Sequence, residues 1–187
     1  MGRDELQTTS GRKITIGDGG LFAQQPRELL HTDVGYASSQ SKYAFNSNQF
    51  GHFYVSSNQG RIFNFSGGLD DVTKAGFHYW CSTYMPLFFS KQFPEYKDID
   101  NPLKGLGYKI VFDNIYETVY IIKRDWVVKE EFKNSVFYDK DSNKFFFRSL
   151  PIEIGNPDYF EDASWTLSYS PTNQCFISHH DWHPDWV

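Results

Sequence analysis

Short runs of alternating apolar and polar residues recur along the chain in pairs, each pair joined by a cluster of turn-forming residues. His52-Phe53-Tyr54-Val55 leads through Ser56-Ser57-Asn58-Gln59-Gly60 into Arg61-Ile62-Phe63-Asn64-Phe65. Gly107 to Phe112 leads through Asp113-Asn114-Ile115-Tyr116-Glu117 into Thr118 to Ile122. Trp165 to Tyr169 leads through Ser170-Pro171-Thr172-Asn173-Gln174 into Cys175 to Ser178. Period-two alternation on both sides of such a cluster predicts an antiparallel hairpin. The turns open at positions 56, 113 and 170, so both separations are 57 residues. Even recurrence on this scale is how repeat arrays and propellers show themselves in a sequence.

A further hairpin is predicted between the second and third, Ser135 to Tyr138 with Lys144 to Phe147 around Asp139-Lys140-Asp141-Ser142-Asn143. Two successive hairpins supply the four antiparallel strands of one propeller blade. The second repeat therefore predicts a complete blade, and the first and third predict modified or shortened ones. Helical periodicity occurs once at length. Between Lys74 and Phe89, the residues Phe77, Trp80, Cys81, Tyr84, Leu87 and Phe88 fall at steps of three and four. Gly76 and Pro86 limit that helix, and Asp71 or Thr73 is placed to cap it.

Residues 1–48 read differently: a short strand, Lys13-Ile14-Thr15-Ile16, lies between turn clusters, and Pro26 to Leu30 allows one helical turn. The expected organisation is an extended, loop-rich lead-in over 1–48, then a partial domain over 49–187. Its expected fold is mainly β, with antiparallel hairpins forming β-propeller-like blades of unequal size and one short helix. The sequence ends at Trp182-His183-Pro184-Asp185-Trp186-Val187 with apolar residues still arriving, which predicts a piece of a longer polypeptide.

Composition supports the β reading. Aromatics make up 19% of the 187 residues, and flat rings suit a pleated surface. A formal charge of −5 opposes nonspecific nucleic-acid binding, which needs cations to displace phosphate counterions. No apolar run is long enough to span a bilayer, and nothing near the N-terminus reads as a signal peptide. Cys81 and Cys175 are far apart and are expected to be free, buried thiols.

Candidate chemistry is sparse. His179-His180-Asp181-Trp182-His183-Pro184-Asp185 holds imidazoles and carboxylates that suit a transition metal, but the spacing matches no known ligand pattern. Packing of His and Trp at a hairpin end is the expected role, so no metal site is assigned. Asp33, Asp70, Asp71, Asp113, Asp125 and Asp139 are the carboxylates a glycosidase pair would draw on. Asp113 and Asp139 each open a turn, where a carboxylate accepts a backbone N–H two residues on. No nucleophile elbow, Walker loop or Rossmann glycine pattern is present, so no catalytic or cofactor-binding residue is assigned.

Several segments resemble a known family. Gln7-Thr8-Thr9-Ser10-Gly11, Gly17-Asp18-Gly19-Gly20-Leu21-Phe22, Ser56 to Phe63, Leu167 to Pro171 and Ser178 to Asp185 are similar to pieces of virion tail structural proteins. These are the tail-assembly proteins of crAss-like and related short-tailed bacteriophages, including the muzzle protein at the distal end of the tail. The resemblance implies a structural virion component without catalytic activity or cofactor, working through subunit contacts. Its expected partners are other tail subunits and further parts of the same polypeptide, in a homo-oligomeric ring that lines or gates the DNA ejection conduit. It implies no specific nucleic-acid binding and no membrane segment. The competing expectation is a propeller that binds or degrades host glycan, as an adhesin or depolymerase does.

Overall fold

The structure, a computed structural model, describes residues 4–7, 13–16, 41–101 and 105–183. Two compact units are separated, residues 1–34 and 35–187. Among its described residues the first contains one antiparallel pair, β1 (Asp4–Gln7) and β2 (Lys13–Ile16), with Asp4 opposite Ile16. The strand expected at Lys13 to Ile16 is therefore present. The turn read at Gly17 to Gly20 and the helical turn read at Pro26 to Leu30 lie outside the described residues.

In the second unit, β3 (Phe45–Asn48), β4 (Gly51–Ser56), β5 (Arg61–Phe65) and β6 (Leu69–Asp71) form a four-stranded antiparallel meander. A second four-stranded sheet joins β7 (Gly107–Asp113), β8 (Thr118–Arg124), β14 (Trp165–Ser170) and β15 (Cys175–His180) in the order β15-β14-β8-β7. All three hairpins of the 57-residue interval are thus present. The second and third share one sheet, because β14 pairs with β8, Thr166 facing Ile122.

That pairing corrects the expected blade built from the second hairpin and its sequence neighbour. Everything between β8 and β14 is an excursion from the sheet. At its neck β9 (Trp126–Val128) pairs with β13 (Phe160–Asp162), and at its end β10 (Val136–Asp139), β11 (Lys144–Phe147) and β12 (Leu150–Ile152) form a three-stranded sheet. The physical reason lies in β14. Its apolar residues Trp165, Leu167 and Tyr169 alternate with Thr166, Ser168 and Ser170, and all six are buried. A strand buried on both faces cannot leave the N–H and C=O groups of its second edge to water, and β8 pairs them. The two 57-residue intervals consequently enclose unlike structure, helices in one and this excursion in the other. Among the described strands the sheets hold four, four, three, two and two, and none closes on itself.

The predicted helix is shorter and broken. A 3-10 turn over Val72–Lys74 is capped by Asp71, which accepts from Thr73 N at 3.1 Å. α1 follows at His78–Tyr84 and α2 at Phe88–Gln92. Pro86 lacks the N–H that would continue the ladder, and Leu87 is extended, so the chain turns an elbow between them.

Two clusters of buried side chains fill the second unit. The first gathers Phe53, Val55, Ile62, Cys81, Met85, Tyr108, Ile121, Trp165 and Leu167 from both large sheets and α1. The second gathers Phe89, Tyr96, Leu106, Val128, Val136, Phe145, Ile152 and Phe160 around α2 and the excursion.

Candidate functional site

A fully buried ion pair closes the elbow between α1 and α2. Such a break leaves the carbonyls at the end of one helix and the N–H groups at the start of the next without helical partners. Side chains of the second sheet take them up. Lys123 Nζ donates to Tyr84 O at 2.8 Å and to Pro86 O at 3.0 Å, and pairs with Asp125 Oδ2 at 2.8 Å. Trp165 Nε1 donates to Tyr84 O at 3.3 Å, and the Tyr108 hydroxyl donates to Met85 O. Asp125 accepts from Phe88 N at 2.7 Å and from Phe89 N at 3.1 Å, with Trp126 N at 3.0 Å. Both charges of the pair are fully buried. The ammonium also lies 4.2 Å from the Phe88 ring centroid.

Burial lowers the Lys123 pKa, the Asp125 charge opposes that shift, and Lys91 adds to it. Burial raises the Tyr108 pKa well above the ordinary phenol value, with the charges of Asp125 and Cys81 adding to it. The Cys81 thiol is pushed up to about 12 by burial, then by Asp71. A hindered thiol of this kind is a poor nucleophile. Cys175 differs from the expectation of burial: it is exposed, because it opens β15 at the edge of its sheet.

The expected carboxylates are engaged singly. Asp71 bonds Arg61 and Thr73, and Asp125 serves the elbow. Asp113 accepts from Ile115 N at 2.8 Å and Tyr116 N at 3.2 Å, the turn role expected of it. Asp139 does the same for Asp141 N at 3.2 Å, and its bond from the Ser142 hydroxyl, then that from Asp141 N, lowers its pKa. Asp70 is exposed on β6, and Asp33 lies outside the described residues.

The histidines do not converge either. His179 and His180 are successive residues of β15 and so point to opposite faces. His179 meets the Trp80 ring edge-on at 5.8 Å, whereas His180 bonds Ser168 Oγ at 3.0 Å and lies 4.6 Å from the Trp182 ring. His183 pairs with Asp162 at 3.1 Å. Among the described residues no group of three His, Cys, Asp or Glu side chains could hold a metal ion.

Two outward surfaces stand apart from this internal work. On the meander, core-facing Phe53, Val55 and Ile62 alternate with Phe45, His52, Tyr54, Phe65 and the buried Phe63 on the opposite face. There the His52 ring lies 6.1 Å from Phe45 and 6.3 Å from Phe65, near parallel to both, and Tyr54 stacks on Phe63 at 5.4 Å. Phe45 is 49% exposed. The other surface is the tip of the β7–β8 loop, where Ile115 and Tyr116 are 85% and 76% exposed. The sequence carried a signal for it, two large apolar side chains at positions where turns favour small polar ones.

At the free edge, the β14–β15 register shifts between Ser168 and Tyr169, leaving Ile177 opposite no residue. A bulge of this kind bends an outer strand away from further pairing.

Lys123 and Asp125, both fully buried, thus serve helix ends in a chain that is mainly β. The chain belongs to the Crassvirus muzzle protein family, whose family model matches residues 2–187. It is accordingly a component of a phage virion, as the resemblance of its sequence segments implied. No curated protein and no solved structure matches the chain. Among the described residues no helix is long and apolar enough to cross a membrane.

Proposed function

We propose that the chain is a structural subunit of the phage tail that acts through contacts with neighbouring subunits rather than through catalysis. The family match over residues 2–187 is the observation that carries this reading. The rigid elbow, the bulged edge and the exposed rings are in keeping with it: a subunit needs a fixed shape, protected edges and apolar contact area. Each four-stranded antiparallel sheet has the strand number of one propeller blade, and we extend the proposal to a propeller-like stacking of such sheets within a homo-oligomeric ring. The charge of −5 suits a wall facing DNA, where tight binding would stall ejection. Cryo-electron microscopy of virions tests both parts. A ring of this chain around the tail lumen is the expected density. Its location away from the lumen overturns the conduit role, and its absence from the particle overturns the subunit role.

A second reading, attachment to host glycan, is favoured by one observation. The half-exposed row of Phe45, His52 and Phe65 offers flat ring faces of the kind sugars stack on. Titration with host capsular polysaccharide is expected to saturate and to be lost in Phe45→Ala if this face binds sugar. An unsaturable or unchanged response removes the reading.

A further inference from the structure

Four hairpin loops of the second unit are built alike. Each leaves four residues between the last paired residues: 57–60 between Ser56 and Arg61, 114–117 between Asp113 and Thr118, 140–143 between Asp139 and Lys144, and 171–174 between Ser170 and Cys175. The fourth loop residue is left-handed in every case, at φ 61° for Gly60, 49° for Glu117, 54° for Asn143 and 52° for Gln174. The two middle positions are Asn58-Gln59, Asp141-Ser142 and Thr172-Asn173 in three loops, and Ile115-Tyr116 in the other. Backbone geometry therefore does not ask for apolar residues there. Three polar versions of one loop are the internal control.

The apolar tip is also held still. Asp113 ties its backbone, Gln49 Nε2 donates to Glu117 Oε1 at 3.1 Å, and Thr172 Oγ1 donates to Glu117 Oε2 at 3.1 Å. A tip ordered before binding loses little entropy on contact. Elsewhere in the unit a cleft of about 380 Å³ is lined by Phe88 and Val127 with Lys91, Gln92 and Lys133. Its size is at the small end of ligand pockets, roughly 300–1,000 Å³, which suits a pair of side chains. Charge is complementary: Asp113 and Glu117 flank the tip, and two lysines rim the cleft. Lys133 already meets Glu130 at 3.2 Å, but both are exposed and such a pair exchanges at little cost.

We propose that the Ile115–Tyr116 tip of one copy of this chain seats in the Phe88–Val127 cleft of a second copy. Tip and cleft are different surfaces, so the contact is head to tail, and each copy can use both. Tyr116 then lies against an apolar wall with a lysine within cation–π reach, and Glu117 faces the opposite charge. The proposal deepens the structural-subunit reading and rests on it.

The test is sedimentation of the full chain and of two variants at graded concentration. Ile115→Thr with Tyr116→Asn borrows the residues of the 171–174 loop, which the same backbone already accepts. Lys91→Glu with Lys133→Glu reverses the rim on the protein surface. Wild type is expected to associate with rising concentration, and each variant to weaken that association by at least about thirtyfold, as loss of an interface hot spot does. A mixture of the two variants retains one intact tip and one intact cleft, so it is expected to form one-to-one dimers and nothing larger. A tip variant that assembles like wild type, with an unchanged melting profile, overturns the docking and leaves the subunit reading intact. Absence of dimer from the mixture, or growth beyond dimer, overturns the head-to-tail geometry. A wild type that stays monomeric overturns the second copy as occupant, whereas absence of the chain from virions overturns the reading beneath it.

Discussion

In the first cluster the centre is largely aliphatic, with Val55, Ile62, Val119, Ile121 and Leu167 between the two large sheets, whereas in the second Phe89, Tyr96, Phe145 and Phe160 occupy the middle. The difference follows strand length. β7 and β8 run seven residues each, so β-branched side chains repeat along a continuous surface. In the excursion most strands run three or four residues and loops intervene. Few backbone bonds are available there, and large rings reach across the gaps. Phe89 alone meets Phe93, Tyr96, Phe145 and Phe160 at centroid distances of 5.1 to 6.2 Å. One core is organised by backbone pairing, the other by ring packing around a short helix. Lys123 and Asp125 lie where the chain passes from one to the other.

Breaking that junction should have the largest effect. Asp125→Ala strands a buried ammonium and two helix N–H groups, and is expected to cost about 3–5 kcal/mol, at the upper end. Hydrogen exchange should then show residues 88–93 and 126–162 losing protection before β7, β8 and β14. Equal loss everywhere would mean that the two clusters are one cooperative unit. Next, Phe89→Ala in the ring-packed cluster is expected to cost about 3 kcal/mol or more, against about 0.5–1.5 kcal/mol for Ile121→Val in the other. Denaturant titration of both variants measures the contrast, and similar values would erase it.

The loops sharpen the comparison on a smaller scale. A Cβ on Gly60 would lie 2.6 Å from Ser82 Cα and 2.8 Å from Cys81 O, because α1 packs against that loop. Gly60→Ala is therefore expected to cost about 1–3 kcal/mol by calorimetry. Gln174→Gly, in a loop that is left-handed and exposed, should stay within about 0.5 kcal/mol.

Alkaline pH acts on the first cluster. Cys81 and Tyr108 are both in the first, and burial raises both pKa values. A raised folded-state pKa gives stability that is complete below the unfolded value and is lost as pH climbs toward the folded one. For Cys81 that loss begins near 9.0 and runs to about 12, and is on the order of 1 kcal/mol by pH 10. The lowered pKa of Lys123 acts in the other direction, since the unfolded lysine binds the proton more tightly. Denaturation at pH 8 and pH 10 is expected to show a smaller drop in Cys81→Ala than in wild type, and an equal drop would remove the thiol from the account.

The hairpins were legible in the sequence because their determinants are local. Alternation runs into a turn that opens with Ser or Asp, and the structure returns the same turns at Ser56, Asp113, Asp139 and Ser170. The aspartates at two of them do the local work expected. What could not be read was the partnership of hairpins. Thr166 faces Ile122 at a sequence separation of 44, and no local pattern encodes that choice. The elbow was half legible. Pro86 announced a break in the helix, but the groups that close it come from positions 108, 123, 125 and 165. The lesson of the two intervals is similar: equal spacing marked equivalent hairpins and said nothing of what lay between them.

The elbow also imposes an order in time. Its two helices are made first, and the Trp165 side chain that bonds Tyr84 O is made 81 residues after Tyr84. Until then β8 has only β7 beside it, and the place of β14 stands open. The excursion must be threaded out and back before the central strand can arrive, so the long-range half of the sheet is expected to close late and slowly. During that interval β8 is a waiting template, most exposed to a wrong strand from another nascent chain.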